Sequence, residues 1–204
     1  PGATGSYSYS IYLISGIIPW MAFSNTLSRM STIYLDKKHI ISKINISLLR
    51  LPLLIVLSES ITFLISMFIF MLFLIIMQQP FSSAMLILPF LYIIQQIFAF
   101  AIGFILAQLT VFIRDLKEFT AIIIQLWFWF TPIVYVINIV PSSLSQLMQY
   151  NPAYQLIHIW QNVFIHHTLP SLDGLIGVTI LAHLLLVIAF IMYRVLEKDI
   201  RDFL

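Results

Sequence analysis

The sequence predicts an all-α, polytopic helical membrane protein, and three observations carry that expectation. Of its 204 residues, 61% are hydrophobic and only 9% charged, with a mean hydropathy of +1.02. Soluble domains carry about 25% charge, so this little cannot cover a water-exposed globule. Several apolar runs reach the roughly 20 residues needed to cross about 30 Å of hydrocarbon. Those runs are continuous rather than alternating, which is not the pattern of barrel strands.

Five spans are expected, at about 10–30, 51–77, 84–113, 119–139 and 175–193, all within one transmembrane domain covering 1–204. The first contains Pro19. The chain opens PGATGSYSYS, with neither an initiator Met nor a signal peptide. A further upstream span, making six in the full protein, is therefore expected.

All ten Lys and Arg residues fall into three groups. Arg29, Lys37, Lys38, Lys43 and Arg50 lie at or between spans one and two. Arg114 and Lys117 separate spans three and four, and Arg194, Lys198 and Arg201 follow span five. The segments 1–9, 78–83 and 140–173 have none. By the positive-inside rule the basic groups face the cytoplasm, as does the C-terminus. The expected location is a membrane, with the chain passing through it several times. A net charge of +2 is too sparse for a phosphate-binding face, so no nucleic-acid partner is expected.

The first cytoplasmic loop reads DKKHIISKINISLLR. Asp36 is a candidate N-cap. Ile40, Ile41 and Ile44 share one face of a short helix, with Lys37, Lys38 and Lys43 mostly elsewhere. Such a helix docks into a soluble partner, lies on anionic headgroups, or simply anchors the topology. In the second excursion, RDLKE, Arg114 and Glu118 stand i, i+4 and can pair. Asp115 and Lys117 complete it, and so tight a turn leaves room only for a contact point or a plain hairpin.

After that turn comes LWFWFTPIVY, residues 126–135. With span four starting near Phe119, Trp127 lies about 12 Å along the helix, deeper than interfacial aromatics prefer. Trp127, Phe128, Trp129 and Phe130 point in four directions, so some face the bundle interior or a partner chain. Aromatic faces suit sugar rings without any binding charge, and they suit ordinary packing as well. Pro132 is expected to kink this span. The outer segment 138–173 reads as two short re-entrant helices broken at Asn151-Pro152, with Leu156, Ile159, Trp160 and Val163 forming a stripe on the second.

The remaining polar signals are thin. Glu59 and His183 are the ionisable residues inside expected spans, and Ser58, Ser60 and Thr62 surround the former. His158, His166 and His167 lack a carboxylate at ligand spacing, so no metal site is expected. Having no cysteine, the chain offers no disulfide and no thiol chemistry. Ala99, Gly103 and Ala107 stand four apart, a close-packing face. No phosphate loop, HExxH or GxSxG occurs; no catalytic residue and no cofactor are expected in this chain, and any energy input must come from elsewhere.

Taken in order, SGIIPWMAFSNTLSRM (15–30), DKKHIISKIN (36–45), VFIRDLKEFTAIIIQLWFWFTPIVY (111–135) and LMQYNPAYQLIHIWQNVF (147–164) resemble the membrane subunit of ABC-type polysaccharide and polyol-phosphate exporters. That family moves lipid-linked O-antigen, capsule and teichoic-acid chains. The resemblance implies a homodimer paired with two copies of a cytosolic ATPase that binds ATP and Mg. It implies coupling through Asp36, Lys37, Lys38, Ile41 and Lys43, with Arg114, Asp115, Lys117 and Glu118 as a secondary contact. It also implies a channel lined by Trp127, Phe128, Trp129, Phe130 and Tyr135, and an outer gate over 142–167 with Tyr150, Pro152, Tyr154 and Trp160. Alternatives are an ABC-type exporter of a drug or lipid, and an ion-coupled secondary transporter, for which more intramembrane charge and an internal repeat are expected.

Overall fold

Helix α4 (Leu88–Phe112) is the axis of the bundle, because its small residues let neighbours approach. Ala99, Ala101 and Ala107 are fully buried, and a Cβ built on Gly103 would stand 2.9 Å from the Cβ of Met30. Close backbone approach of this kind is what drives helix association where lipid removes the hydrophobic effect. The computed structural model describes residues 8–204 except 45, 138–139 and 170–171. Asn45 and the outer end of the expected fourth span, Asn138-Ile139, thus lie outside the described residues.

Among the described residues the elements are all helical. They are α1 (Ser8–Asp36), α2 (Lys38–Ile41), α3 (Arg50–Ile76), a 3-10 turn (Ser83–Ile87) leading into α4, α5 (Leu116–Trp129), α6 (Ser142–Met148), α7 (Pro152–Ile165) and α8 (Leu172–Phe203). α1 and α8 flank α4, α3 leans chiefly on α1, and α7 packs across the α1 side at one end of the bundle. Among the described residues, three helices are long and apolar enough to cross a membrane: Arg50–Ile76, Ser83–Phe112 (the turn plus α4) and Gly174–Phe203. The outer faces of α3 and α8 expose Leu57, Leu64, Phe68, Leu184 and Ile191, an apolar surface suited to lipid.

Several boundaries differ from the sequence expectation, each for a local reason. α1 continues to Asp36 rather than stopping at Met30, since no Gly or Pro interrupts residues 30–36. Asp36 therefore ends α1, accepting a 2.7 Å hydrogen bond from the Thr32 hydroxyl, and does not cap the following helix. α8 likewise runs ten residues past the expected end at 193, to Phe203.

The larger correction concerns the fourth span. α5 stops at Trp129 after 14 residues, which is about 21 Å of helix and short of a 30 Å core. Pro132 lacks an N–H and disfavours helical backbone at Thr131, so the helix ends before it rather than kinking through it. Residues 131–136 are irregular, yet Thr131, Pro132 and Ile133 are buried.

Pro19 sits inside α1, held from the side. Gln95 of α4 donates to the Pro19 carbonyl at 2.7 Å and accepts from the Trp160 indole of α7 at 3.0 Å. At the opposite end, Tyr34, Ile41, Leu48 and Ile200 form a second core. There Arg201 donates to the Ile46 carbonyl at 2.8 Å and Tyr34 to that of Leu48 at 3.2 Å. The loop 42–50 and the end of α8 thus share one face with the α4–α5 turn, which joins it through the Phe112–Phe203 ring contact.

Candidate functional site

The broken end of α5 leaves a row of backbone carbonyls that helical bonding would otherwise satisfy. Buried or lipid-immersed carbonyls need partners, and side chains from α1, α7 and the segment itself supply them. The Tyr135 hydroxyl donates to Trp129 O at 2.7 Å, and Asn151 Nδ2 to Phe130 O at 3.1 Å. Gln161 donates to Pro132 O at 3.2 Å and Tyr9 to Val134 O at 2.8 Å. Tyr12 OH stands 2.9 Å from both Pro132 O and Tyr135 O, its one proton shared between them. Gly16 makes room for this arrangement: a Cβ there would lie 2.8 Å from Gln161 Nε2.

Asn151 is the hub. Its Oδ1 accepts the Trp127 indole N–H at 2.8 Å and the Ala153 backbone N–H at 3.1 Å, the second bond capping α7. Its Nδ2 reaches Thr131 Oγ1 at 3.4 Å in addition to Phe130 O. All four hydrogen-bonding sites of the amide are used, so the TPIVY and YNPxY motifs are physically one device. Pro152 then occupies the first turn of α7, where its missing N–H costs nothing.

The four aromatics divide into two pairs. Trp127 sets its edge against Phe23 with ring centroids 5.3 Å apart, and Phe128 packs on Trp20 at 5.7 Å. Both are structural members of the α1–α5 contact. Trp129 and Phe130 are 58% and 57% exposed, the most open of the four, while half-buried Trp127 also lines the groove beside Phe130. Tyr135 is half-buried, its hydroxyl committed to the α5 end. Beside Phe130 an apolar groove of about 470 Å³ runs between α5 and α6, with Ile123, Leu126, Leu147 and Met148 in its walls.

The outer residues are equally divided. Tyr150 is 84% exposed, whereas Tyr154 is buried against His158 and Trp160 is buried in the main core. Leu156, Ile159 and Val163 share that burial, the stripe expected for α7. Trp160 is thus an internal anchor on Gln95 rather than a residue of the outer surface.

At the charged end, α2 is a single four-residue turn. Asp36, Lys37, Lys38 and Lys43 are exposed, Ile41 is buried in the second core, and Ile44 is exposed. The three isoleucines therefore do not form one docking face. Arg114, Asp115, Lys117 and Glu118 are all exposed, and Arg114 and Glu118 form no ion pair among the described residues. No three His, Asp or Glu side chains come together as a metal site among the described residues.

Glu59 is buried in α3 and bound by Arg29 of α1, whose guanidinium also reaches Ser58 Oγ at 3.3 Å. Ser60 instead accepts from Tyr92, which accepts from Gln96 at 2.9 Å. Sequence reasoning treated Arg29 as a topology charge and missed Gln95, Tyr12, Gln161 and Asn151 as partners. The visible signal was the pair Gln95-Gln96 inside an apolar run, since buried amides there demand partners.

This fold, with a broken helix whose backbone is sealed by its neighbours, defines a helical, polytopic membrane protein. Its similarities are to export permeases. It is 31% identical over 163 residues to an O-antigen export system permease protein RfbA of Klebsiella pneumoniae, covering 79% of this chain and 63% of that protein. A second Klebsiella pneumoniae protein of the same name gives the same figures. A Myxococcus xanthus RfbA is 24% identical over 181 residues, 88% of this chain and 70% of that protein. The chain thus spans less than two thirds of the length of the Klebsiella relatives. No family model matches it. The resemblance carried by the motifs stands: the chain resembles the membrane subunit of an ABC-type polysaccharide exporter.

Proposed function

We propose that the chain is the permease subunit of an ATP-driven exporter that moves a lipid-linked polysaccharide across the bacterial cytoplasmic membrane, through a channel formed by two copies. ATP and Mg belong to a cytosolic partner ATPase, and the charged segments around Lys37–Lys43 and Arg114–Glu118 meet that partner. The C-terminus shares their cytoplasmic face.

The observation that carries this reading is α5 itself. Exposed Arg114 and Asp115 stand just before it and Lys117 and Glu118 in its first turn, and roughly 21 Å later it ends at exposed Trp129, with exposed Phe130 following. A rigid helix with a partner contact at one end and sugar-compatible faces at the other is a mechanical link between engine and cargo. The names of the similar proteins support the same substrate class. An ion-coupled transporter is disfavoured, because Glu59, one of the few ionisable residues inside the expected spans, is already paired with Arg29.

The test is deletion of the gene in its own host, with surface polysaccharide read on gels. Loss of surface glycan with intracellular accumulation, restored by the full-length gene, is expected. Normal surface glycan in the deletion would overturn the reading.

A further inference from the structure

α1 is 29 residues long, yet by composition it is not among the three helices long and apolar enough to cross a membrane. Its exposed polar residues are gathered on one side. At about 100° per residue, Met21, Ser24, Asn25, Ser28 and Thr32 fall within one arc of α1, and all are exposed or half-exposed. Ser24 and Thr32 bond within their own helix. Asn25 and Ser28 are exposed with no side-chain partner among the described residues. Counting back from Asp36 at 1.5 Å per residue, they lie roughly 12–17 Å deep. Neutral amides and hydroxyls are not placed against hydrocarbon at that depth without a partner.

α5 repeats the pattern independently. Gln125 is exposed and likewise unpartnered among the described residues, about 14 Å from Leu116. Ala121 and Glu118 continue its line toward the charged end. The ring contacts fix how these two faces relate. Phe23 and Trp127 meet on the side of the seam that also touches Phe98 of α4. Trp20 and Phe128 meet on the other side. On α1, the arc of Ser24 and Ser28 follows Trp20, not Phe23; on α5, Ala121 and Gln125 follow Phe128, not Trp127. Both polar lines therefore open on the same side of the α1–α5 seam, and they lead to exposed Trp129, which touches Phe128 at 5.6 Å.

We infer that this open face is the inner half of the translocation path, with Asn25, Ser28 and Gln125 as its wetted wall and a hydrated, hydroxyl-rich glycan as its occupant. The inference rests on the export reading above and adds the wall that the aromatic block does not provide. Uncharged donors and acceptors exchange hydrogen bonds with sugar hydroxyls and water at nearly equal energy. They hold no single sugar, so a chain can slide. Arg29, bound to Glu59, closes the α3 edge of the face with its charge already neutralised.

These 204 residues hold no cysteine, and any cysteine elsewhere in the full-length protein is first replaced by serine, so that single cysteines report cleanly. Asn25→Cys, Ser28→Cys and Gln125→Cys in the full-length protein, in membranes, are treated with a charged, membrane-impermeant methanethiosulfonate. Leu64→Cys and Leu184→Cys, on the apolar outer faces, are the controls. The three wall positions are expected to react at least about tenfold faster, because thiolate forms only where water reaches. A bulky adduct at Ser28→Cys is expected to stop glycan export, and the same adduct at Leu64→Cys to leave it intact. Wall positions as unreactive as Leu64→Cys would show the face covered by lipid or protein and overturn the inference. Reactive positions whose adducts leave export unchanged would also overturn it, as a water path that is not the glycan's. If unmodified protein exports no glycan at all, the export reading fails instead, while the reactivity pattern still decides whether the face is wet.

Discussion

The indole of Trp127 donates to Asn151 at 2.8 Å across 24 residues of sequence, joining the end of α5 to the start of α7. One amide caps a helix, holds an aromatic and covers an open carbonyl. Replacing it removes all four hydrogen bonds at once. Asn151→Ala is expected to cost about 2–4 kcal/mol, since a lost cap and an unsatisfied buried donor each contribute about 1–2. Thermal unfolding in detergent measures this. Asn151→Asp keeps the acceptor and should lose less; equal losses would show that the Trp127 bond contributes nothing.

The aromatic block should divide by function. Trp129→Ala is expected to lower glycan export with little change in stability, because its ring is exposed. Trp127→Ala removes a ring packed on Phe23 and Phe98 and should cost about 3–5 kcal/mol. Export and melting temperature measured on both variants check the split. A Trp129→Ala protein with full export would remove it from the path.

The Arg29–Glu59 pair predicts an asymmetry. Arg29→Ala strands a buried carboxylate and should destabilise by about 3–5 kcal/mol. Glu59→Gln leaves a half-exposed arginine that water can serve, and should cost less. The double variant Arg29→Met/Glu59→Leu is expected to recover most of the loss. Additive losses in a double-mutant cycle would mean the two residues act separately.

Gly103 and Gly177 make a matched test of close packing. Gly103→Ala places a methyl 2.9 Å from Met30 Cβ, so α1 and α4 must separate; a loss of about 1–3 kcal/mol is expected. Gly177→Ala meets nothing within 4 Å and should be neutral or slightly stabilising. Equal melting temperatures for the two variants would contradict the packing described.

At the charged face, reversing Lys37 and Lys38 to Glu is expected to leave the fold unchanged, since both are exposed. ATP hydrolysis by the partner should then run without glycan export. Coupled turnover in that variant would place the ATPase contact elsewhere.

What could be read from the sequence was whatever depends on runs and faces. The long apolar segment of α3, the small-residue line at Ala99, Gly103 and Ala107, and the buried stripe on α7 all follow from periodicity. What could not be read depends on partners far along the chain. Trp160 belongs to a recognisable stripe, but its depth is set by Gln95, 65 residues earlier. Pro132 announced a break, yet the partners that let the backbone remain irregular there include the hydroxyls of Tyr9 and Tyr12, some 120 residues away. Asp36 looked like a cap because its residue type suits one. The helix simply had no reason to stop earlier.

The bond from Arg201 to the Ile46 carbonyl spans 155 residues. A chain made from its N-terminal end folds its early parts first. The loop that carries Lys37, Lys38 and Lys43 is therefore synthesised long before the residue that braces it. Its final shape appears only when α8 has been made and threaded into place. A half-built protein accordingly presents no finished charged face, and the completion of that face is ordered in time by the length of the chain itself.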